Sequence, residues 1–467
     1  MNRFNDFMIS NEIKEALDLL GYKMPTDIQN KVIPEILKGN NLVVKSRTGS
    51  GKTASFAIPL IEKIVWENRY PQVLVLSPTR ELAMQIKEEM FNIGRLKRIK
   101  IIPIYGKTAF EGQEKQLRQR QHVVVGTPGR VLDHLESRTI NLSDVEYLVI
   151  DEADEMLRMG FIEQIDDIFK HLKVKQVILL SATLDKKILD TINKYIKDPV
   201  YIEEEVSSNI IKEKQKYLKV NKNKTSELFN FINREQVKSA IIFCNTKDKV
   251  EEVYEFLSNE RMLIKRLHGD LDQRVRTKAI TDFKEGKIRY LVATDVAARG
   301  IDVSEIEYVI NYQIPKDLKT YIHRVGRTGR MGKKGLTLAI LSEEEISSFE
   351  KKMNEIDYEI EEFVTTKKEQ QEYILNKPIE KSKRDEALNK DIMKIHINAG
   401  KKTKMRASDI VGTLCSIEGV NVDDIGVITI LDISTFVEIM NGKGEHVYNV
   451  LQDKTIKGRL RIVSKAE

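Results

Sequence analysis

Eight residues, Ser46-Arg47-Thr48-Gly49-Ser50-Gly51-Lys52-Thr53, follow a short apolar run and precede a helical stretch. Glycines in such a loop let the chain turn tightly, so that backbone N–H groups face phosphate oxygens. Lys52 is then placed to reach the β- and γ-phosphates of a nucleotide, and the Thr53 hydroxyl to bind Mg²⁺. The pattern is matched except at Ser46, which stands where the first glycine belongs. A plain glycine-rich turn is the alternative, and the strand–loop–helix context weighs against it. A second constellation, Asp151-Glu152-Ala153-Asp154, follows the apolar run Tyr147–Ile150. Asp151 suits a metal, through water, and Glu152 suits the orientation of an attacking water. Alone, the run also reads as an acidic helix start favoured by the helix dipole. A third is His323-Arg324-Val325-Gly326-Arg327-Thr328-Gly329-Arg330. Guanidinium forks match phosphate geometry. Supplied across a cleft, Arg327 and Arg330 would stabilise charge on a transferring phosphoryl group. A basic surface turn is the alternative reading of that motif.

These groups need a scaffold, and the chain supplies one in two series of β-branched apolar runs. The first is Leu42–Lys45, Val73–Leu76, Val123–Val125, Tyr147–Ile150 and Val177–Leu180; the second is Ala240–Phe243, Tyr290–Ala293, Tyr308–Asn311 and Leu336–Leu341. Helical patterns such as Asn11–Leu20 and Lys249–Leu257 lie between them. Alternating strands and helices predict parallel sheets of βαβ units, and uninterrupted apolar strands predict cover on both faces. The chemistry-bearing residues sit just after the runs, where open parallel sheets bind ligands. The expectation is α/β: two tandem parallel-sheet domains of the RecA-like kind, at 1–205 (nucleotide-binding) and 206–366. Glu203–Glu213 is the predicted connector and a helical pattern runs to about Thr366. The segment 367–390, rich in Lys, Glu, Gln and Asp, reads as a charged linker or lone helix. The last segment, 391–467, reads strand (Met393–Asn398), helix (Ala407–Ile417), strand (Ile425–Leu431), strand (Thr435–Met440), helix (Gly444–Leu451), strand (Lys457–Val463). That order predicts a small α+β, RRM-like domain.

With these motifs in this order, the stretch from Phe4 to Leu341 resembles the DEAD-box ATP-dependent RNA helicases. Phe4 and Gly21-Tyr22 with Pro25-Thr26-Asp27-Ile28-Gln29 resemble the family's adenine-reading Q motif, so Phe4 and Gln29 are implied to contact nucleotide, with Ser46 to Thr53. Arg80 in Pro78-Thr79-Arg80-Glu81-Leu82-Ala83, and Thr127, Gly129 and Arg130 in Thr127-Pro128-Gly129-Arg130, resemble its RNA-backbone motifs. Ser181-Ala182-Thr183 resembles the motif that couples hydrolysis to strand separation, a role shared with His323. In the second half, Gln273, Arg276 and Thr294 are implied to face RNA, and Gly300 and Asp302 to lie near the nucleotide. Two positions depart from the pattern: Asp27 replaces a common proline, and Gly106-Lys107 replaces a pair of glycines. The first leaves Gln29 in place; the second exchanges one RNA contact for a lysine able to bind phosphate.

Counting 391–467 gives 11 Lys+Arg against 10 Asp+Glu, so this segment is not basic overall. Its cations are segregated, into Lys401, Lys402, Lys404 and Arg406, and into Lys454, Lys457, Arg459, Arg461 and Lys465. Segregated cations suit phosphate contact, though a solvated face has the same composition. An RRM stacks bases on aromatics of its central strands. Here the first strand has none and the third offers only Phe436, so the usual platform is not expected to read RNA. Asn398 to Arg406, with Asp409 to Cys415, resembles the RNA-binding domain of the bacterial DbpA/YxiN-like subfamily. That resemblance implies a large-subunit rRNA hairpin as target, hence a helicase acting on pre-ribosomal particles.

Composition closes off other classes. Of 467 residues, 41% are hydrophobic and 32% charged, with no apolar run near the ~18 residues of a membrane span, so no membrane is expected as a partner. The start of the chain has no signal-peptide pattern, and a cytoplasmic location is expected. Cys244 and Cys415 cannot make a disulfide framework or a Cys-rich zinc site and read as packed thiols. The seven histidines lack paired helical spacing, leaving Mg²⁺ as the expected metal beside ATP. An RNA clamp whose hydrolysis only times release needs the same motifs, and strand separation with ATP distinguishes it. A DNA-directed translocase is the other rival; equal ATPase stimulation by DNA and RNA would favour it.

Overall fold

The computed structural model describes residues 3–46, 49–184, 190, 194–204, 215–221, 223–298, 306–327, 335–356, 358–364, 377–379 and 385–466. Arg47, Thr48, Gly300, Asp302 and Arg330 lie outside them, as does most of the expected connector. Seven strands form the first sheet: β1 (Leu42–Lys45), β2 (Val73–Leu76), β3 (Ile101–Ile104), β4 (Val123–Gly126), β5 (Tyr147–Ile150), β6 (Gln176–Ser181) and β7 (Val200–Glu203). Seven more form the second: β8 (Gln215–Lys219), β9 (Ala240–Cys244), β10 (Ile264–Leu267), β11 (Tyr290–Thr294), β12 (Tyr308–Asn311), β13 (Leu336–Leu341) and β14 (Ile360–Glu362). Both sheets are parallel, with orders β3-β4-β2-β5-β6-β1-β7 and β10-β11-β9-β12-β13-β8-β14. Numbered within each half, the two orders are the same, so the chain carries one α/β architecture twice.

The apolar strands behave as fully covered strands must. Val44, Val75, Val125 and Leu180 enter one core, while Val43, Leu74, Val124 and Leu179 enter the core on the opposite face. The second sheet divides likewise, with Ile242 and Val292 on one face and Ile241 and Leu291 on the other.

Two expectations are corrected here. The helical pattern after Leu341 ends at Asn354, because the chain turns back to lay Ile360–Glu362 beside β8. The last strand is not Lys457–Val463: Lys457 (φ 53°) and Gly458 (φ 70°) are both left-handed, which folds Ile456–Arg459 into a tight turn and delays the strand to Val463–Lys465. The small domain is otherwise as expected. Strands β15 (Met393–Ile397), β16 (Ile425–Ile430), β17 (Thr435–Ile439) and β18 (Val463–Lys465) form an antiparallel sheet ordered β16-β17-β15-β18. Helices Ala407–Cys415 and Gly444–Asp453 cover one face of it. In the expected linker, Glu386–Asn389 is a short helix with Leu388 buried.

Candidate functional site

Strand β1 runs directly into the glycine-rich loop. Gly49 (φ 86°) and Gly51 (φ 91°) are left-handed, and a Cβ at Gly51 would sit 2.6 Å from Gln29 Nε2. Ser46, buried, donates its N–H to Ser181 O at 3.0 Å. Its hydroxyl donates to Glu204 Oε2 at 2.7 Å and lies 2.5 Å from Ser50 Oγ, so the serine ties the loop where a glycine could not. Gln29 holds the loop from behind: Oε1 accepts from Thr26 N–H (2.9 Å) and Nε2 donates to Gly51 O (3.2 Å). Thr26 Oγ1 donates to Ser50 O at 3.0 Å. Phe4 is buried edge-on between Phe7 and Tyr22. Lys52 opens the helix Lys52–Lys63, and its buried ammonium donates to Ser46 O at 3.0 Å, over the loop. Thr53 follows in the first helical turn.

Asp151 follows β5 and is buried, which pushes its carboxyl up to about 6 against the pull of the Lys52 charge. Its Oδ1 accepts from Glu152 N–H at 2.9 Å. Glu152 itself is left-handed (φ 52°, ψ 50°), a conformation that costs a non-glycine residue about 1–3 kcal/mol and that concentrates at functional positions. Asp154 accepts from Thr183 Oγ1 (3.1 Å), and Ser181 Oγ donates to Thr183 O (2.6 Å). The acidic run and the Ser-Ala-Thr turn are thus one hydrogen-bonded unit, reached from β5 and β6 side by side. A buried carboxylate facing a lysine and a loop of N–H donors fits a hard divalent cation that takes its remaining oxygens from phosphate and water.

In the second half, Arg324 is fully buried and uses all its donors. It pairs with Asp295 (Nη2–Oδ2 2.7 Å) and donates to Asn311 Oδ1 (3.0 Å), Asn245 Oδ1 (2.8 Å) and Gln313 O (2.6 Å). This clamps helix Leu318–Val325, which carries His323, onto the carboxyl ends of β9, β11 and β12. Arg327 follows two residues later and is buried. Thr294 closes β11.

The two halves touch. Arg80 Nη1 donates to Gln273 Oε1 at 2.7 Å, and Arg276 Nη2 pairs with Glu81 Oε1 at 2.6 Å. Beside this bridge lies a groove of about 1200 Å³, lined by Tyr105, Lys107 and Thr108 from one side and Gly269, Asp270 and Gln273 from the other. Lys107 is exposed in it and left-handed (φ 57°), the conformation a glycine would favour. Thr127 caps helix Pro128–Glu136, with Gly129 and Arg130 in its first turn. Arg130 donates to Thr108 O (3.3 Å) and stacks over Phe110. A cleft of arginines and a helix start, with a glycine-rich loop in the first domain, can bind a phosphate backbone and a nucleotide together.

Comparison with known proteins agrees part by part. Residues 26–191 match the DEAD/DEAH box helicase family, 223–332 the helicase conserved C-terminal domain, and 394–465 the DbpA RNA binding domain. The ATP-dependent RNA helicase DbpA of Bacillus subtilis is 46% identical over 479 aligned residues, covering 100% of both chains. The chain belongs to the DEAD-box ATP-dependent RNA helicases. Another relative, the CshA helicase of Geobacillus kaustophilus, is 40% identical over 74% of this chain and 75% of its own. Among solved structures, S. cerevisiae Dbp5 bound to RNA and ADP BeF3 superposes with TM-score 0.69 at 29% identity, covering 78% of this chain and 96% of that one. Mss116p bound to ssRNA and AMP-PNP gives 0.67 at 28% identity, covering 78% and 79%.

As a DEAD-box helicase the protein uses ATP and binds RNA. Its structure adds three residues to those singled out from sequence: Glu81, Asp154 and Arg324. Each lies inside a motif already recognised, but nothing local marks it, because each acts through a partner distant in the chain.

Proposed function

We propose that this helicase anchors through its C-terminal domain on a hairpin of large-subunit rRNA and locally unwinds or remodels neighbouring rRNA in a cytoplasmic pre-ribosomal particle. The observation that carries this reading is the DbpA-type domain at 394–465, within a likeness that runs the full chain. The surface of that domain supports it: Lys457 Nζ donates to Lys404 O (2.5 Å) and pairs with Asp409 (2.9 Å), so the two basic patches are neighbours and offer one exposed phosphate-binding face. Anchoring raises the effective concentration of the helicase core near a duplex.

In the core, ATP and RNA bind on either side of the closed cleft. Lys52 and the loop 46–53 hold the phosphates, and Thr53 and Asp151 would hold Mg²⁺, which would supply charge neutralisation there. Glu152 orients the attacking water, while Arg327 and Arg330 bring positive charge from the other half, with Gly300 and Asp302 near the nucleotide. Arg80, Thr127, Gly129, Arg130, Gln273, Arg276 and Thr294 grip the RNA backbone. Ser181 and Thr183, with His323, report the state of the phosphates to that grip.

Two outcomes are expected. Deleting 391–467 leaves ATPase stimulation by generic RNA but removes the preference for the rRNA hairpin; an unchanged preference would place specificity in the core. Thr183→Ala breaks the bond to Asp154 and is expected to keep ATPase within about threefold, while strand separation falls roughly tenfold or more. Equal losses in both assays would remove the coupling role.

A further inference from the structure

Part of the open face of the C-terminal sheet, around Glu438, is covered by the chain's own first domain. Side chains alternate along its strands. Ile395, Ile397, Val437 and Ile439 point into the small domain's core, which leaves Lys394, His396, Phe436 and Glu438 on the face where an RRM would stack bases. Glu438 should therefore be exposed, yet its side chain is only 11% accessible. Arg95 covers it, equally enclosed at 11%, with Nη2 3.2 Å from Glu438 Oε1 and Nη1 bonded to Asn389 Oδ1. Arg98 donates to Val422 O (2.9 Å), and Lys100 donates to Ile428 O (2.5 Å) on β16. An apolar anchor lies alongside: Leu388, 2% exposed, belongs to the core cluster of the first domain and packs near helix Asn11–Leu19.

The route of the chain gives this contact a consequence. Just before it, the chain is fastened to the second domain, where Arg289 Nε donates to Lys377 O (2.7 Å) and Ile379 N–H donates to Gly286 O (2.9 Å). By Leu388 it is seated on the first domain. We infer that the open sheet face is a protein-docking surface whose partner is the Arg95–Lys100 edge of the first helicase domain, and that the docked tail straps the two halves of the core together. A link from one half to the other raises the local concentration of the closed pair without any new contact to ATP or RNA. It also leaves Lys401–Arg406 and Lys457 facing outward, so RNA held there is presented at a fixed place beside the cleft. The strap goes beyond the proposed rRNA target and does not depend on it.

The test is a charge swap in the full chain: Arg95→Glu, Glu438→Arg, and both together. Energy transfer is read between a dye on Cys415, which is exposed and not packed as the sequence suggested, and one on Ser137→Cys, also exposed; Cys244 is buried and does not label. Steady-state ATPase is read with an unstructured RNA that contains no hairpin, so the result is independent of rRNA recognition. Each single variant is expected to lose the high-transfer state and to raise KM for RNA by about fivefold or more, with kcat at saturating RNA unchanged. The double variant is expected to regain both. Leu388→Asp, on the short helix Glu386–Asn389 that rests on the first domain and in none of the three sheets, is expected to behave as the single variants do and covers the case of a misfolded swap. Unchanged transfer and KM in Arg95→Glu and Leu388→Asp would overturn the strap, as would a double variant that stays as impaired as the singles.

Discussion

Lys52→Ala is expected to lower RNA-stimulated ATP turnover by about 100-fold or more, because it deletes the preorganised cation that we propose stands beside the transferring phosphoryl group. The structure explains why the loss should be large and also local. The Lys52 ammonium is buried and already bent over the loop, held by a bond to Ser46 O. A charge that is positioned before the substrate arrives costs no reorganisation when the reaction occurs. Removing it leaves the loop intact, since Gly49, Gly51, Ser46 and Gln29 shape the backbone without it. The variant should therefore fold with a normal thermal transition and fail in a coupled ATPase assay at saturating RNA. Undiminished turnover would remove the assignment of this loop to the nucleotide.

How much of this could be read from sequence depended on where each residue's partners lie. The inner strands β1, β2, β5, β9, β11 and β12 announce themselves because both faces are buried and nearly every position is apolar, the polar exceptions Lys45, Thr294 and Asn311 standing at strand ends. Strands Ile101–Ile104, Ile264–Leu267, Val200–Glu203 and Ile360–Glu362 do not, because they are the outermost strands of their sheets and carry Pro103, Lys265, Arg266 and Glu361. Gln215–Lys219 is interior but largely polar, and its pairing with β13 and β14 makes it a strand. The same division runs through the site. The loop at Ser46–Thr53 and the acidic run at Asp151 are local and were legible. The pairs Glu81–Arg276 and Asp154–Thr183 require the fold to bring distant segments together. Histidines 122 and 134 show the converse: burial holds both at about 4, so they stay neutral packing groups rather than acids or bases near pH 7.

Glu152→Gln should separate binding from chemistry. The substitution keeps size and shape, and the backbone N–H of residue 152, which bonds Asp151, is unaffected. It removes only the carboxylate, the group proposed to accept a proton from, or orient, the attacking water. Hydrolysis is expected to fall by roughly 10²–10⁴-fold, the usual contribution of a positioned general base. A competing explanation would be loss of the metal, and the electrostatics argue against it. The Glu152 charge is one of the repulsions that raise the Asp151 carboxyl, so neutralising it eases ionisation of the group proposed to face the cation. The left-handed backbone at this position suits glutamine no less than glutamate, so little of the strain is released and the geometry of the turn should persist. With binding intact and hydrolysis slowed, the closed complex has no exit, and RNA should dissociate more slowly in the presence of ATP than from the unmodified enzyme. Single-turnover hydrolysis and RNA release measured on the same sample decide the matter. A normal hydrolysis rate would assign the water to another residue, whereas a slow rate with weakened ATP binding would make Glu152 part of the nucleotide grip instead.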